Sequence, residues 1–245
     1  MGYSVGGVTK RLLRAASPPR RAAVKGTVTT EDLFTPDAGS DLPAPARRLL
    51  GAAVDSFAER GYHATTTRDI ATRAGLSPAG LYVHYPSKAA LLGHLSRVGH
   101  EAALRIVERT LALPGESPRR LHALVAAFVA WHAEHHTVAR VVQYELRSLD
   151  PDDRAVVTAL RRELERLVER EVRRGVAAGT LTTPHPRQAT RAILSLAVDV
   201  ARWYDPAGAE SPTRLGRIYA DLALRMLGAE VTPPNEGTDD DREVT

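Results

Sequence analysis

Apolar residues recur at helical spacing through most of the chain. Up to residue 111 this spacing predicts four helices, at 44–60, 67–74, 78–84 and 88–111. Beyond Pro114 it predicts longer ones, at about 118–135, 137–148, 152–178, 186–204 and 212–227. No window alternates with a period of two between turn residues, so no strand is predicted. The pattern indicates an all-α fold of about nine helices, with a small N-terminal three-helix bundle and a larger C-terminal bundle.

Residues that begin and end helices support the boundaries in the N-terminal bundle. Thr66 is placed to cap the helix at 67–74, with Asp69 completing an imperfect capping box. Gly75 is a typical stop for that helix, because glycine adopts the left-handed conformation without strain. Ser77 followed by Pro78 restarts a helix, since serine is a favoured cap and proline is favoured at the first helical position.

Both ends of the chain lack this periodicity. Residues 1–43 are interrupted by Gly, Pro, Ser and Thr, and residues 229–245 contain two adjacent prolines and three consecutive aspartates. We predict that both segments are disordered tails, the first basic and then acidic, the second acidic. The remaining chain divides into a domain at 44–104 and a second domain at 105–228.

Composition narrows the classes of function. The chain of 245 residues has no cysteine, which excludes a disulfide framework, a thiolate nucleophile and a cysteine-ligated metal. Its net charge of +4 is unevenly spread: residues 1–25 carry +6, residues 44–92 carry +3 and residues 228–245 carry −5. Since neither a secretory signal nor an apolar run of ~20 residues is present, we expect a soluble cytoplasmic protein with no membrane association.

The helices predicted at 67–74 and 78–84 are joined by a tight glycine turn, which is the helix-turn-helix arrangement. In this interpretation Gly75 turns the chain and Leu76 fills the angle between the helices. Ser77, Ala79 and Gly80 are small enough for the front of the second helix to approach base edges in the major groove. The motif therefore predicts binding to double-stranded DNA.

The surrounding sequence resembles the DNA-binding domain of the tetracycline-repressor (TetR) family. The resemblance covers about fifty residues and rests on Ala74-Gly75-Leu76-Ser77, Leu81-Tyr82, Tyr85-Pro86-Ser87-Lys88 and Leu91-Leu92. Tyr85 stands where the family more often has Phe, and the N-terminal tail is longer than usual. The resemblance implies a homodimeric transcriptional regulator, a repressor that binds a palindromic operator and is released by a small-molecule effector.

The resemblance also implies roles for individual residues. Thr67 and Lys88 would contact phosphates, and Arg68 a phosphate or a base. The groove-facing set would be Ser77, Ala79 and Gly80, with hydroxyl or imidazole donors from Tyr82, His84 and Tyr85. The alternatives are that Arg68 is a solvated side chain and that Tyr85 and His84 serve packing. As in other helix-turn-helix proteins, Lys10-Arg11 and residues 18–21 would form a minor-groove arm; the alternatives are a solvated tail or a start codon assigned too far upstream.

In the second domain, the helices at 186–204 and 212–227 are expected to join two subunits. The predicted faces comprise Ala189, Ala192, Ile193, Leu196, Ala197 and Val200 on one helix, and Leu215, Ile218, Tyr219, Leu222 and Met226 on the other. Packing within one subunit is the alternative. The predicted ligand pocket comprises Phe128, Trp131, His135, Arg140, Val141, Tyr144, Arg202 and Trp203, for each of which ordinary core packing is the alternative.

A looser resemblance concerns the effector. Residues 135–146 and 200–204 are similar to family members that respond to acyl-coenzyme A thioesters. This resemblance implies that Arg140 and Arg202 pair with coenzyme A phosphates and that Trp203 stacks on adenine, whereas surface ion pairs and interface packing are the alternative.

A rival interpretation makes the chain a metal-dependent hydrolase. It uses the cluster His132, His135 and His136, in which His132 and His136 have the i, i+4 spacing of a zinc site on one helical face. The metalloprotease pattern itself is absent, and no third ligand is evident. Because no nucleophile elbow, phosphate-binding glycine loop or dinucleotide fingerprint is found either, we expect no catalytic residue, no metal and no cofactor.

Overall fold

A computed structural model describes residues 42–229, and every regular element in that range is helical. The all-α prediction is confirmed. The predicted tails, including the basic arm, lie almost wholly outside the described residues. The helices are α1 (Ala44–Arg60), α2 (Thr67–Arg73), α3 (Pro78–His84), α4 (Lys88–Leu111), α5 (Ser117–Glu134), α6 (His136–Tyr144), α7 (Pro151–Ala177), α8 (Pro186–Trp203) and α9 (Pro212–Met226).

Local capping explains why the short helices form where the sequence places them. The Thr66 side chain accepts a hydrogen bond from the Asp69 backbone N–H at 3.2 Å, and the Asp69 carboxylate accepts one from the Thr66 backbone N–H at 2.9 Å. Both halves of the capping box are therefore present, although Asp replaces the usual Glu. Ser77 caps α3 by accepting from the Gly80 backbone N–H at 3.1 Å.

One predicted helix is shorter in the structure. The prediction of a helix over 137–148 is wrong at its C-terminal end, because α6 ends at Tyr144 and a 3₁₀ turn follows over Leu146–Ser148. The Ser148 backbone N–H donates to the Glu145 carbonyl at 2.8 Å, and its hydroxyl donates to the Glu145 carboxylate at 3.0 Å. This tighter turn leads directly to Leu149, which is buried in the N-terminal core.

Two apolar cores organise the described chain. The first contains α1 to α3 and the start of α4, and it continues into the C-terminal half through Val138, Val141 and Val142 of α6. The second lies among α4, α5, α7, α8 and α9, where Gly216 lets α9 approach the Ala126 carbonyl of α5. Trp131 packs against both cores. The two halves are thus coupled by shared side chains as well as by the uninterrupted helix α4.

None of the helices between residues 42 and 229 combines the length and the apolar character needed to span a bilayer.

Candidate functional site

α2, the turn and α3 form a helix-turn-helix. Gly75 has a φ of 68°, which is the left-handed conformation predicted for it. The chain then reverses, the Leu76 backbone N–H donates to the Ala71 carbonyl at 2.9 Å, and Leu76 packs against the first core. Leu81 of α3 is fully buried. This anchoring leaves the opposite side of α3 facing solvent.

Most of the residues predicted to contact DNA are at least partly exposed, on α3 or at the start of α2. Those exposed are Arg68, Ser77, Ala79 and Tyr82, and those half-buried are Thr67, Gly80 and His84. The hydroxyl groups of Thr67 and Tyr82 lie 3.2 Å apart, so the start of α2 is hydrogen-bonded to α3. The arrangement provides an exposed surface of small and hydroxyl-bearing side chains beside the Arg68 guanidinium. That surface matches what a major groove and its flanking phosphates require.

Lys88 is placed differently from the prediction. Its ammonium donates to the Tyr62 carbonyl at 2.6 Å and the Thr65 carbonyl at 2.8 Å, and it lies 4.3 Å from the centroid of the Tyr62 ring. Burial lowers the pKa of this ammonium, which the Glu145 carboxylate partly opposes. A third, longer contact joins the ammonium to the His63 carbonyl at 3.5 Å, so the protein itself engages all three donors and competes with the predicted phosphate contact. The main structural role of Lys88 is to hold the loop between α1 and α2.

The prediction that Tyr85 contacts DNA is wrong. Its side chain is only 6% exposed and packs in the first core, with its ring edge-on to His94 at 5.7 Å. Burial raises the pKa of the Tyr85 phenol to about 12. Tyr85 is buried because it directly follows α3, where the chain turns toward α4 and directs the ring into the core.

Sequence reasoning missed Val83, which is 80% exposed near the C-terminal end of α3. A signal for it exists, because residues two positions apart on a helix lie about 200° apart. With Leu81 pointing into the core, Val83 must point away from it. An exposed branched apolar side chain at this place is suited to contact a thymine methyl group.

A cavity of about 600 Å³ lies in the C-terminal half among α4, α5, α6, α7 and α8. That volume is within the usual range for small-molecule sites. Five of the residues predicted for the pocket line it, namely Phe128, Trp131, Arg140, Tyr144 and Arg202. Its buried part is mainly apolar, and its solvent-exposed lining includes charged side chains.

Three residues predicted for the pocket do not line it. Val141 points into the first core because that face of α6 packs on α1. His135 stacks on the Trp131 ring at 4.9 Å, and its Nδ1 lies 3.0 Å from the Trp131 carbonyl. Trp203 is 46% exposed and lies 6.5 Å, ring to ring, from Tyr219 of α9.

The charged lining of the cavity is mostly arginine. Four arginines and two carboxylates give it a formal charge of +2. Arg191 pairs with Glu165 at 2.6 Å and Arg202 with Asp199 at 2.8 Å. The other two, Arg140 and Arg161, form no ion pair with a carboxylate in the described part of the chain. The mouth of the cavity is therefore electropositive and suited to an anionic group.

Sequence reasoning did not find His100, Arg161 and Arg191, which also line the cavity. They belong to α4, α7 and α8, and no spacing along the chain relates them. His132, named above in the histidine cluster, also lines the cavity.

The histidine cluster gives no support to the hydrolase interpretation. α5 ends at Glu134 and His136 begins α6, so His132 and His136 do not share one helical face. The Nδ1 atoms of His132 and His136 lie 2.7 Å and 3.0 Å from the backbone carbonyls of Phe128 and Ala133. No group of three potential metal ligands occurs within residues 42–229.

The apolar faces predicted for subunit contact are only partly free. Ile193, Ala197 and Val200 of α8 are buried in the second core, and so is Leu215 of α9. This part of the prediction is wrong because α8 turns that side toward α5 within the same subunit. The large apolar side chains that α8 and α9 expose are Leu196, Trp203, Ile218, Leu222 and Met226.

An all-α chain with a helix-turn-helix at one end and a cavity-bearing helical bundle at the other defines the class of DNA-binding transcriptional regulators with a sensory domain. Comparison with known families assigns it more narrowly. Residues 49–95 match "Bacterial regulatory proteins, tetR family", and residues 115–227 match "Tetracyclin repressor-like, C-terminal domain". The chain belongs to the TetR family of transcriptional regulators.

Individual relatives agree with this assignment. The chain is 30% identical to the HTH-type transcriptional repressor KstR2 of Rhodococcus jostii (strain RHA1), over 80% of this chain and 98% of KstR2. It is 37% identical to a tetR-family regulatory protein of known structure from Rhodococcus RHA1, with a TM-score of 0.72, over 78% of this chain and all of that one. The fold is also that of AibR in complex with isovaleryl coenzyme A and operator DNA, at 19% identity and a TM-score of 0.67, over 74% of this chain and 98% of AibR.

Proposed function

We propose that this protein is a homodimeric repressor that binds a near-palindromic operator and is released from it by an anionic, partly apolar effector. Residues 44–104 serve as the DNA-binding unit, and residues 105–228 serve for effector binding and dimerisation. The observation that carries the proposal is a physical link between two sites. The side of α3 that faces away from the core is exposed, and the core behind it continues through α6 into the wall of the cavity. The repressor sense is supported by the relation to KstR2 along nearly its whole length. Because operator DNA lies in the cytoplasm of a bacterial cell, the proposal places the protein there.

In this proposal the DNA surface has two functions. Arg68 and the hydroxyl of Thr67, held near Tyr82 by the 3.2 Å contact, bind phosphates and set the position of the domain. Ser77, Ala79 and Gly80 approach base edges, and the Ala79 methyl contacts a thymine methyl. The exposed Tyr82 hydroxyl and the His84 imidazole donate to the backbone or to bases. Lys88 supports this surface from behind through its contacts with the Tyr62 and Thr65 carbonyls.

Dimerisation through α8 and α9 is the second part of the proposal. Ile218, Leu222 and Met226 follow one another every four residues along α9, and each is at least 39% exposed. Leu196 and Trp203 extend this apolar surface onto α8. A two-fold pairing of this surface would place two α3 helices one DNA turn apart, at about 34–36 Å, which is the spacing that a palindrome requires.

The cavity favours an acyl-coenzyme A or a related amphipathic anion as effector. Its buried lining accepts an apolar chain, and Arg140 and Arg161 at its charged part can pair with phosphate or carboxylate oxygens. The same fold holds an acyl-coenzyme A in AibR. Arg202 is a further candidate for phosphate, provided that it leaves Asp199, its partner at 2.8 Å.

α6 supplies the connection between effector and DNA. It lines the cavity with Arg140, Gln143 and Tyr144, and it packs into the core of the DNA-binding domain with Val141. A ligand that displaces α6 must therefore disturb the support of α1. The effector releases the operator only if it binds the DNA-free conformation more tightly than the DNA-bound one.

Binding to DNA from the region upstream of the protein's own gene tests the proposal. We expect a protected near-palindrome in a footprint and repression of a reporter placed behind it. Arg68→Ala should reduce the slope of log Kd against log salt by about one for each phosphate that is no longer neutralised, while leaving base preference unchanged. The matched control is Arg162→Ala, which removes an exposed arginine on α7 and should change neither quantity.

Two outcomes would contradict this part. Absence of any protected site at moderate salt refutes sequence-specific binding, and activation of the reporter refutes the repressor sense. Selection of binding sites from random DNA with Ala79→Ser should change the preferred bases, since Ala79 is assigned to the groove. Unchanged preference would remove Ala79 from the base-reading set.

A further inference from the structure

Two histidines lie on the buried side of the cavity, one on each of two packed helices. His132 of α5 is only 5% exposed, and His100 of α4 is half-buried. Both line the same cavity, together with Phe128 and Ala103. The proposed phosphate and carboxylate contacts do not use them.

Backbone contacts determine which ring nitrogen of each histidine carries the hydrogen. The Nδ1 of His132 lies 2.7 Å from the Phe128 carbonyl, and the Nδ1 of His100 lies 2.7 Å from the Ser96 carbonyl. A carbonyl oxygen can only accept, so each Nδ1 must donate. In a neutral imidazole the other nitrogen, Nε2, then carries a lone pair and can only accept.

Both rings are neutral at physiological pH. The pKa of His132 is lowered to about 4, mainly by burial and to a smaller extent by the nearby rings of His100 and His135, against the opposing effect of the Phe128 carbonyl. Burial is also the main cause that lowers the pKa of His100, and the Arg161 guanidinium adds to it. The Arg161 guanidinium therefore favours a neutral His100, and burial favours a neutral His132.

The two Nε2 atoms need a donor. Neither has a protein hydrogen-bond partner within residues 42–229, whereas the backbone bonds already occupy the Nδ1 atoms. An apolar ligand pressed against such a nitrogen would remove water and leave a buried acceptor unpaired, which is unfavourable. A hydroxyl group at the same place would donate to it.

We propose that the effector carries a hydroxyl group on the part that reaches His100 and His132, in addition to the anionic group that the arginines bind. Its class is a hydroxylated acyl-coenzyme A or hydroxylated carboxylate. The inference rests on the proposed function of the cavity as the effector site. It adds the chemistry that distinguishes one amphipathic anion from another, because the arginines recognise all of them alike.

Matched ligands test the proposal. The probes are dodecanoyl-coenzyme A with 12-hydroxydodecanoyl-coenzyme A and 3-hydroxydodecanoyl-coenzyme A, measured by titration calorimetry on the full chain at pH 7.5. We expect at least one hydroxylated probe to bind about tenfold more tightly than the unsubstituted one, the amount that one hydrogen bond to a buried acceptor contributes. Equal or weaker binding of both hydroxylated probes would mean that water satisfies the Nε2 atoms and would overturn the inference.

Variants locate the preference. His132→Phe keeps a ring of similar size and removes the acceptor, so this variant should bind the hydroxylated and the unsubstituted probes about equally tightly. If His132→Phe does not fold, His100→Phe provides the same test. His122→Phe is the matched control on α5, since this histidine pairs with Asp221 and does not line the cavity. It should keep the wild-type preference. A preference that survives both cavity variants contradicts the assignment to these histidines.

A spectroscopic measurement tests the tautomers without a ligand. Long-range ¹H–¹⁵N correlation spectra should show both rings with hydrogen on Nδ1, and a ring with hydrogen on Nε2 would contradict the argument. The outcomes also separate the two proposals. Binding of all three probes without preference refutes the hydroxyl requirement alone, whereas binding of none of them counts against an amphipathic anion as effector and against this inference with it.

Discussion

Lys88 shows how a single contact changes the role that a sequence motif predicts. Its ammonium is bound to the Tyr62 and Thr65 carbonyls at 2.6 Å and 2.8 Å, in the loop that leads into α2. Hydrogen bonds from a charged donor contribute more than neutral ones, and the carbonyls left without it lose that stabilisation. The positive charge therefore supports the shape of the DNA-binding surface from within.

We expect Lys88→Met to reduce the free energy of unfolding by about 2 kcal/mol, because two carbonyls lose a charged donor. Its operator affinity should fall, but the slope of log Kd against log salt should stay that of the wild type. Urea denaturation and a salt series of binding measurements check both quantities. A slope that decreases while stability is unchanged would return Lys88 to the phosphate contacts.

His132 makes the stability of the protein depend on pH. Its pKa is about 4 in the folded chain, and an exposed histidine in the unfolded chain titrates near 6.5. Between these values the unfolded state binds a proton that the folded state does not, so stability falls as pH falls from about 6.5 toward 4. The groups that face this ring are His100, His135 and the Phe128 carbonyl.

We expect the wild type to lose about 2 kcal/mol more unfolding free energy than His132→Phe between pH 7 and pH 5. His94, whose pKa burial also lowers, contributes to both proteins and cancels in the difference. Urea denaturation at pH 7, 6 and 5 measures it. Parallel pH curves for the two proteins would show that His132 has the same pKa in the folded and the unfolded chain.

At the scale of elements, the turn between α2 and α3 depends on Gly75. Its φ of 68° places it where an L side chain is strained, although no heavy atom would lie within 4 Å of an added Cβ. The cost of a substitution there is therefore conformational and does not arise from a clash.

We expect Gly75→Ala to reduce the unfolding free energy by about 1 kcal/mol and to weaken operator binding, while Gly75→Asn, which tolerates this conformation better, loses less. Thermal denaturation and operator titration measure the two effects. The control is Gly99→Ala in α4, which also has open space around the added Cβ but helical backbone, and which should be neutral or stabilising. Equal effects of Gly75→Ala and Gly99→Ala would refute the conformational argument.

At the scale of the whole molecule, the proposed dimer depends on the exposed apolar surface of α8 and α9. Leu222 is 46% exposed within that surface, and Val156 of α7 is 42% exposed away from it. The pair therefore permits a test at matched exposure.

We expect Leu222→Arg to produce monomers and to weaken binding to the palindrome on the order of a hundredfold, because the second half-site is no longer tethered. Binding to an isolated half-site should not change. Val156→Arg should remain dimeric with wild-type affinity. Sedimentation equilibrium measures the oligomeric state, and operator titration measures the affinity. A dimeric Leu222→Arg protein would place the subunit interface elsewhere.

The helices of the described chain, apart from the end of α6, and the helix-turn-helix are predictable from the amino-acid sequence alone. These follow from contacts within about four residues, such as the Thr66–Asp69 capping box and the left-handed Gly75. The same local reasoning gives the exposure of Val83, since Leu81 points inward.

Which side chains are available to a ligand or to DNA depends on how the helices pack together. Tyr85 and Lys88 lie beside the DNA-binding surface in sequence, but packing buries the first and engages the ammonium of the second. The cavity collects His100, Arg161 and Arg191 from three helices far apart in the chain. Helix period and capping are local properties, whereas burial and cavity lining depend on how helices cross, which residues distant in sequence determine together.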